Sequence, residues 1–474
     1  MQNTLYTNDN LYILNGLNSD SVDLIYLDPP FNSKRTYSAP VGTKAAGASF
    51  KDMWTWEDIN EAYLERMIEK NPVLVSFIRS IEFSHGKGMM AYVLYMTQRL
   101  IELHRILKET GSLYLHCDPT ASHYLKQLLD FIFGKDNFRN EITWERSHQH
   151  NLASKRFDVV TDIIFFYSKS ENYYFRNQYS DVTRQELDLK FPYTEEETGR
   201  KFTHEKLEQS SNKGSIGARI INGKRVISKI GWRWTQETFD ERIAENPHLI
   251  YWTGNGKPRY KRYEDEYLGR LNTNLWNDIK GLTSQDKERT GYPTQKPLAL
   301  MHRIINASCP ENGIVLDPFC GCATTCVASE QLNRQWIGID IEKQAAMVLK
   351  QRLEKDGHMD DSLSFKTEGV DFVHRLDVPQ RTDIEIEEIT QSVKERLFKE
   401  QNGCCNGCGI VLDIWHFEVD HIVPRAKGGG DYYENYQLLC GNCNRVKGAR
   451  PMEYLRMKIK IREDIMREKM TFGE

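Results

Sequence analysis

The chain has 474 residues, with 63 Lys and Arg against 67 Asp and Glu and a net charge of −4. It is too long for one ordinary domain and too evenly charged for a small basic nucleic-acid binder, although a local basic cleft is compatible with the balance. Hydrophobic residues make up 39% of the chain, and no apolar run approaches the ~20 residues of a membrane span, so a globular cytoplasmic protein without membrane contact is expected.

Residues 11 to 21 read as helical, and Val22 to Leu27 as an apolar strand that runs straight into Asp28-Pro29-Pro30-Phe31. A carboxylate at a strand end is a site candidate, and the Gly, Ala and Ser of Ser38 to Ser49 predict a mobile loop beside it. A helix from Met89 to Leu107, ending at Gly111, a strand from Ser112 to His116 and a helix from Ala121 to Phe133 follow. With the strands Glu141 to Trp144 and Asp162 to Tyr167 they make the pattern of an open α/β sheet.

Residues 171 to 290 break that pattern. They are polar, aromatic and basic without a steady period, and include Trp232-Arg233-Trp234 and Arg259-Tyr260-Lys261-Arg262-Tyr263, as an inserted recognition region would. The α/β alternation returns with the helix Leu298 to Ser308, the strand Gly313 to Leu316, the helix Thr324 to Leu332 and the strand Trp336 to Ile339. A polar stretch, 355 to 383, leads to a charged helix, Ile389 to Glu400, and a cysteine-rich tail, which places the main boundary near residue 385. The tail ends in an amphipathic packing helix, Tyr454 to Lys469.

The strand ending at Leu316 opens through Asp317-Pro318-Phe319-Cys320-Gly321-Cys322-Ala323-Thr324-Thr325 into a helix. A turn of small residues at that place lets a nucleotide-like ligand approach, although tight packing of a strand against a helix asks for small residues too. The next strand ends at Asp340, close to the ~20 residues downstream at which an acidic side chain reaches the ribose hydroxyls of an adenosine cofactor. Asp28-Pro29-Pro30-Phe31 fits a second task. An exocyclic base amine is a poor nucleophile because its lone pair is delocalised into the ring. The Asp28 carboxylate and the Pro29 carbonyl can accept both amine hydrogens, the prolines holding that carbonyl rigid while Phe31 stacks on the base.

These segments, in this order, resemble the β-class of amino-group DNA methyltransferases over residues 1 to about 355. The matching blocks are Leu27 to Phe31, Gly111 to Asp118, Tyr292-Pro293-Thr294-Gln295-Lys296-Pro297, Asp317 to Thr325 and Ile337-Gly338-Ile339-Asp340. The resemblance implies a Rossmann-like sheet with an inserted recognition domain. It implies S-adenosylmethionine held by Asp317, Phe319, Gly321, Asp340 and the segment Gln295-Lys296-Pro297, and a flipped base held by Asp28 to Phe31. It divides the chain into a catalytic half at 1–170, a target recognition insert at 171–290 whose Trp and Arg-Tyr clusters would stack on and contact DNA, and a cofactor half at 291–384. Asp at position 28 favours adenine N6, whereas members acting on cytosine N4 more often have Ser there. Ala323 stands where the family usually has a second glycine, and its methyl is expected to narrow the cofactor approach. A homodimer on double-stranded DNA fits the class.

Residues 385–474 carry a different chemistry. Cys405 and Cys408 with Cys440 and Cys443 form two Cys-x-x-Cys knuckles of the spacing structural zinc requires, with Cys404 a less well-spaced substitute for Cys405. The other cysteines, Cys117, Cys309, Cys320, Cys322 and Cys326, read as small core residues, and His416 and Lys447 need no special role. Between the knuckles lie Phe417-Glu418-Val419-Asp420-His421-Ile422-Val423-Pro424, three glycines and Asn435, and after them Asn444. Residues 395 to 450 thereby resemble HNH endonucleases of the ββα-metal type, in a variant with Asn444 at the third signature position. The resemblance implies His421 as general base, Asp420 and Asn444 as ligands of Mg²⁺ at the scissile phosphate, and Asn435 as the residue that orients the His421 loop. Three outcomes stay open: a nuclease that makes the chain a restriction and modification enzyme in one, a module that only binds DNA, or a nuclease that nicks only methylated DNA.

Overall fold

The computed structural model describes residues 3–30, 35–38, 49–52, 64, 67, 71–147, 155, 157–209, 215–283, 285–356 and 372–471. They fall into two units, Asn177–Asn272 and the remainder. Among the described residues no helix is long and apolar enough to cross a membrane.

The larger unit is built on a nine-stranded sheet. In chain order its strands are β1 (Thr4–Thr7), β2 (Val22–Leu27), β3 (Leu107–Cys117), β4 (Phe138–Glu145), β5 (Thr161–Ser168), β6 (Leu275–Trp276), β7 (Ile314–Asp317), β8 (Gln335–Asp340) and β9 (Val373–Arg375). Their spatial order is β6-β4-β5-β3-β2-β7-β8-β1-β9, and β5 alone runs antiparallel to its neighbours. All six residues of β2 are buried, as a central parallel strand covered on both faces requires. Ile25 and Leu27 face the helices Lys87–Ile106 and Ser122–Phe133, while Leu24 and Tyr26 face the helix Leu298–Ser308. The fold is therefore an α/β sheet with helices on both sides.

That topology positions the site. β2 and β7 are parallel neighbours, with Leu24 opposite Val315 and Ile25 opposite Leu316, so Asp28 and Asp317 emerge side by side from adjacent carboxyl ends. Ligands of open α/β sheets bind along that edge. One boundary differs from the sequence reading. Gly111 does not stop a helix but sits inside β3, in an irregularity that sets Val22 opposite Leu107 and Leu24 opposite Ser112. A Cβ at Gly111 would lie 2.5 Å from the Leu107 side chain, so the glycine marks a bulge rather than a cap. Residues 39–48, most of the expected mobile loop, lie outside the described residues. Their flanks, Arg35–Ser38 and Ser49–Asp52, pair as antiparallel strands.

The smaller unit holds a four-stranded antiparallel sheet, ordered Ile250–Trp252, Pro258–Tyr263, Lys201–Lys206, Tyr193–Thr194, and a hairpin of Ser215–Ile221 with Lys224–Trp232. Several of its strands span only two or three residues, too short to print a period on the sequence. Trp232 and Trp234 are buried in its core with Phe239 and Ile250, so they hold this unit together rather than standing ready to stack on DNA.

Near the end of the chain, β10 (Phe417–His421) and β11 (Tyr436–Cys440) form an antiparallel hairpin followed by the helix Gly441–Lys447. Val393 and Leu397 of the helix Gln391–Glu400 pack on it with Phe417, Leu438 and Leu439. The helix Met452–Thr471 closes this small core through Met452 and Leu455.

Candidate functional site

A cavity of about 600 Å³ opens at the carboxyl ends of β2, β7 and β8, within the size range of a cofactor site. Asp28, Pro29, Pro30, Gln295, Lys296, Asp317, Phe319, Gly321 and Asp340 all line it. Of the residues expected around a flipped base and its cofactor, Pro297 starts the adjoining helix and Phe31 lies outside the described residues.

The turn after β7 is held by its own acid. Asp317 accepts from the Phe319 amide at 3.0 Å and the Thr325 hydroxyl at 2.6 Å, and burial pushes its carboxyl up to about 7. Asp340 accepts from the amides of Gly321 and Glu342, both at 2.8 Å, and burial raises it to about 6. Gly321 has φ +53, and a Cβ there would come within 3.0 Å of the Tyr292 ring. Ala323 also sits in the left-handed region, at φ 58, and is fully buried against Leu5, Cys326 and Val327 rather than lining the cavity. Its departure from glycine therefore costs backbone strain of about 1 kcal/mol and does not narrow the cofactor approach.

The opposite wall comes from the start of the chain, which the sequence reading missed. Asp9 caps α1 (Asn10–Gly16) by accepting from the Leu11 amide at 2.9 Å. Buried Asn10 donates to the Pro318 carbonyl at 2.8 Å and accepts from Arg99 at 2.7 Å, tying α1 to the cofactor turn. The available signal was an Asp soon after a strand, as on the other walls, here at a helix N-cap.

On the catalytic side, Lys296 donates to Asp28 Oδ2 at 2.5 Å, and the other carboxylate oxygen, Oδ1, is buried and accepts no hydrogen bond among the described residues. The loop that delivers Lys296 is braced by Gln295. Its Nε2 donates to the Glu288 carbonyl and its Oε1 accepts from the amide and hydroxyl of Thr290, each at 2.8 Å. Beneath the site, His116 bridges the Tyr26 hydroxyl at 3.0 Å and the Asp162 carboxylate at 3.1 Å, and burial lowers its imidazole below the ordinary value.

In the C-terminal module the thiols of Cys405, Cys408, Cys440 and Cys443 lie within 4.8 Å of one another. Tetrahedral zinc with ~2.3 Å bonds to sulfur sets neighbouring thiolates about 3.8 Å apart, and Cys408 and Cys440 stand at 3.9 Å, so the four fit that ion. Cys404 is outside the cluster, and Cys117, Cys309, Cys320, Cys322 and Cys326 are buried in the sheet unit as small core residues.

His421 Nε2 pairs with Asp431 at 2.7 Å. Burial opposes ionisation of Asp431, but hydrogen bonds from His421 and Arg425 outweigh it and hold the carboxyl below its usual range. Asn435 is buried and spans the His421 loop, accepting from the Val423 amide at 2.8 Å and donating to the carbonyls of Gly430 at 2.9 Å and Val423 at 3.0 Å. Lys447 is fully buried, contrary to the expectation that it needs no role. Its ammonium donates to the His421 carbonyl at 2.7 Å and lies 3.0 Å from Asp420 Oδ2. Gln437 donates to the same Oδ2 at 2.9 Å, and the Asn444 amide donates to Glu418. Among the described residues these bonds engage neither Asp420 Oδ1 nor the side-chain oxygen of Asn444, hard donors of the kind Mg²⁺ takes.

This module docks on the methyltransferase-like sheet through α1. Asn15 donates to the Lys427 carbonyl at 3.3 Å, and the Lys427 ammonium bonds the Tyr12 hydroxyl. Gly428, at φ +87, packs so closely that a Cβ would come within 2.5 Å of the Tyr12 carbonyl oxygen.

Comparison with known proteins gives two family matches, the family described as DNA methylase over residues 22–351 and HNH endonuclease over residues 405–450. The type II methyltransferase M.EcaI of Enterobacter cloacae is 29% identical over 358 residues, 74% of this chain and 69% of its own. The Mod subunit of the type III restriction-modification enzyme StyLTI of Salmonella typhimurium is 26% identical over 70% of this chain, which spans 50% of that subunit. Among solved structures, the cytosine-N4-specific PvuII DNA methyltransferase aligns with 77% of this chain and 89% of its own at 12% identity and a TM-score of 0.39.

Proposed function

Because the chain belongs to the DNA methylase family of N6 and N4 amino-methyltransferases and ends in an HNH endonuclease domain, we propose that it methylates adenine N6 in double-stranded DNA and cleaves DNA through its C-terminal module. The observation that carries the first half is Asp28. It has one oxygen engaged and one that is buried and, among the described residues, unengaged, beside the turn of Asp317 to Thr325 on the neighbouring strand.

S-adenosylmethionine supplies, when bound, an electrophilic methyl group. Asp340 would hold the ribose hydroxyls and Phe319 and Gly321 would lie against the adenosine, with Asp317 setting the turn. The target base must leave the duplex to reach Asp28. There Asp28 Oδ1 and the Pro29 carbonyl accept the two amine hydrogens, localising the lone pair on nitrogen, and Phe31 would stack on the ring. As nitrogen gains the methyl group, the methyl–sulfur bond would break with its electron pair left on sulfur as a neutral thioether, and one N–H bond breaks with its proton passing to Asp28. The unit Asn177–Asn272 would read the sequence. Its hairpin bears four basic residues, Arg219, Lys224, Arg225 and Lys229, and no acidic one between Ser215 and Trp232, which suits a polyanion.

In the second half, His421 would activate water, Asp420 and Asn444 would hold Mg²⁺ at the scissile phosphate, and zinc on the four thiols would reinforce the small core of the module. Relatives named as type II methyltransferase and type III modification subunit favour a restriction-modification setting, with modification and cleavage addressed by one recognition unit.

The test is transfer of labelled methyl from S-adenosylmethionine to unmethylated genomic DNA, followed by nucleoside analysis. Label in N6-methyladenine that disappears in Asp28→Ala is the expected result, and label in N4-methylcytosine overturns the base assignment. Digestion of unmethylated plasmid with Mg²⁺, beside His421→Ala, tests the nuclease. Retained DNA binding without cleavage would leave a docking module.

A further inference from the structure

We propose that Lys296 is a positioning residue of the methyl-transfer site, pinning one oxygen of Asp28 so that the other is aimed at the incoming amine. This rests on the reading of Asp28 as amine acceptor and adds a residue that the acceptor depends on.

The terminal torsion of an aspartate is broad, so a carboxylate on a strand end has no fixed plane of its own. Here the plane is fixed. The Lys296 ammonium stands 2.5 Å from Oδ2, with only 9% of the lysine side chain and 17% of the aspartate side chain exposed. Charge-assisted bonds of this length are directional, and burial removes the water that would compete for them. The consequence falls on Oδ1, which is left buried and, among the described residues, unengaged beside the cavity.

The loop carrying Lys296 is built for this delivery. Gln295 spends its whole amide inside the loop, on Glu288 and Thr290, and the Glu288 carboxylate accepts from the Leu298 amide at 3.1 Å. Thr294, two residues before Lys296, is held at φ 63, a left-handed conformation that a β-branched residue rarely adopts. Strain of this kind persists only where the surroundings over-determine it, and it clusters at functional sites. Pro297 then begins the helix Leu298–Ser308 as its N-cap, fixing the backbone on the other side of the lysine. The segment Gln295-Lys296-Pro297, expected from the resemblance to hold S-adenosylmethionine, thus divides its tasks otherwise: Gln295 serves the loop, Pro297 starts the helix, and Lys296 is directed at the acceptor rather than the cofactor. During transfer the amine proton passes to Asp28 Oδ1, and Lys296 keeps its own proton throughout.

The experiment is single-turnover methyl transfer by the full-length protein, with Lys296→Met, Lys296→Arg and Lys296→Ala beside wild type and Asp28→Ala. Binding of S-adenosylmethionine and of DNA is measured separately. The expected result for Lys296→Met is a fall in the transfer rate of about 100-fold, with both affinities within about threefold of wild type. Lys296→Arg should recover to within about tenfold, and added ethylamine should restore part of the rate of Lys296→Ala, a rescue that a merely structural role would not show. A Lys296→Met rate within threefold of wild type overturns the proposal, as does a loss of cofactor affinity in proportion to the rate. Should Lys296→Met fail to fold, absence of both Arg recovery and amine rescue in soluble variants overturns it as well. If wild type itself transfers no label, it is the methyltransferase reading that fails.

Discussion

Replacing Asn435 by Ala removes three hydrogen bonds at once, since this buried amide accepts from the Val423 amide and donates to the carbonyls of Val423 and Gly430. Each such bond contributes about 1 kcal/mol net, and stranding a buried partner adds to the loss, so the loop should loosen by about 3 kcal/mol. At about 1.4 kcal/mol per factor of ten, that is on the order of 100-fold more frequent opening. The chain cannot compensate by collapse, because a Cβ at Gly429 would already lie 1.7 Å from the Val423 carbonyl oxygen, so no space exists for the loop to close in. Asn435→Asp sharpens the test. The carboxylate keeps the acceptor for Val423 but turns both donors into repulsion against two carbonyls, so it should be at least as damaging as Ala. Hydrogen exchange over residues 417 to 431 in the full-length protein reads the opening directly, and the cleavage proposed for His421, two residues from Val423, should fall in step. Exchange within threefold of wild type in Asn435→Ala, or an Asn435→Asp variant milder than Ala, would refute the reasoning.

Burial raises Asp317 to about 7 and Asp340 to about 6, with Asp28 close enough to push Asp317 further in the same direction. Because the unfolded carboxyls ionise near ~3.9, the ligand-free protein should lose stability as pH rises from about 4 through about 7, and a positively charged cofactor should bind more tightly over that rise. Calorimetric titration with S-adenosylmethionine between pH 5.5 and pH 8 checks this, and a flat affinity contradicts it. Gly428→Val should undock the nuclease loop from α1, since φ +87 is closed to valine and its Cβ would meet the Tyr12 carbonyl, producing a separate low-temperature melting transition while methyl transfer survives. A strong zinc chelator, or Cys443→Ser, should unfold residues 391 to 471 while leaving the sheet unit intact, read as proteolysis confined to the tail. On the hairpin of the smaller unit, Ile220 and Ile227 are 59% and 60% exposed on one outer face, so Ile220→Ser with Ile227→Ser should weaken DNA binding without changing its salt dependence. Arg225→Ala with Lys229→Ala should instead reduce the salt slope by about 2.

Much of the sheet was legible because its signals are local. Val22 to Leu27 advertises a doubly covered strand by being apolar throughout, and the turns after it and after Leu316 announce themselves by composition. Gly111 misled because a glycine relieves crowding equally well at a helix end and in a bulge, and only the register of β3 against β2 decides which. The tryptophans of the insert misled for a related reason, since a large aromatic ring satisfies a small core as readily as a nucleobase, and Trp232 ends its strand with Trp234 beyond it, where no alternation tells the two apart.

The site itself was legible as a set of motifs but not as a set of partnerships. Asp28 and Lys296 each belong to a recognisable block, yet 268 residues separate them, and their contact comes with the packing of the helix Leu298–Ser308 on β2, which brings the loop before that helix to the strand's end. Asp431 and Lys447 escaped for the converse reason. Each is an ordinary charged residue whose meaning comes from burial against His421 and Asp420, and burial is a property of the folded hairpin, not of the string. Motifs name the atoms proposed to meet the substrate, whereas the groups that fix those atoms in place are chosen by geometry, and in both halves of this chain they are single charged side chains set against an acid or base of the proposed site.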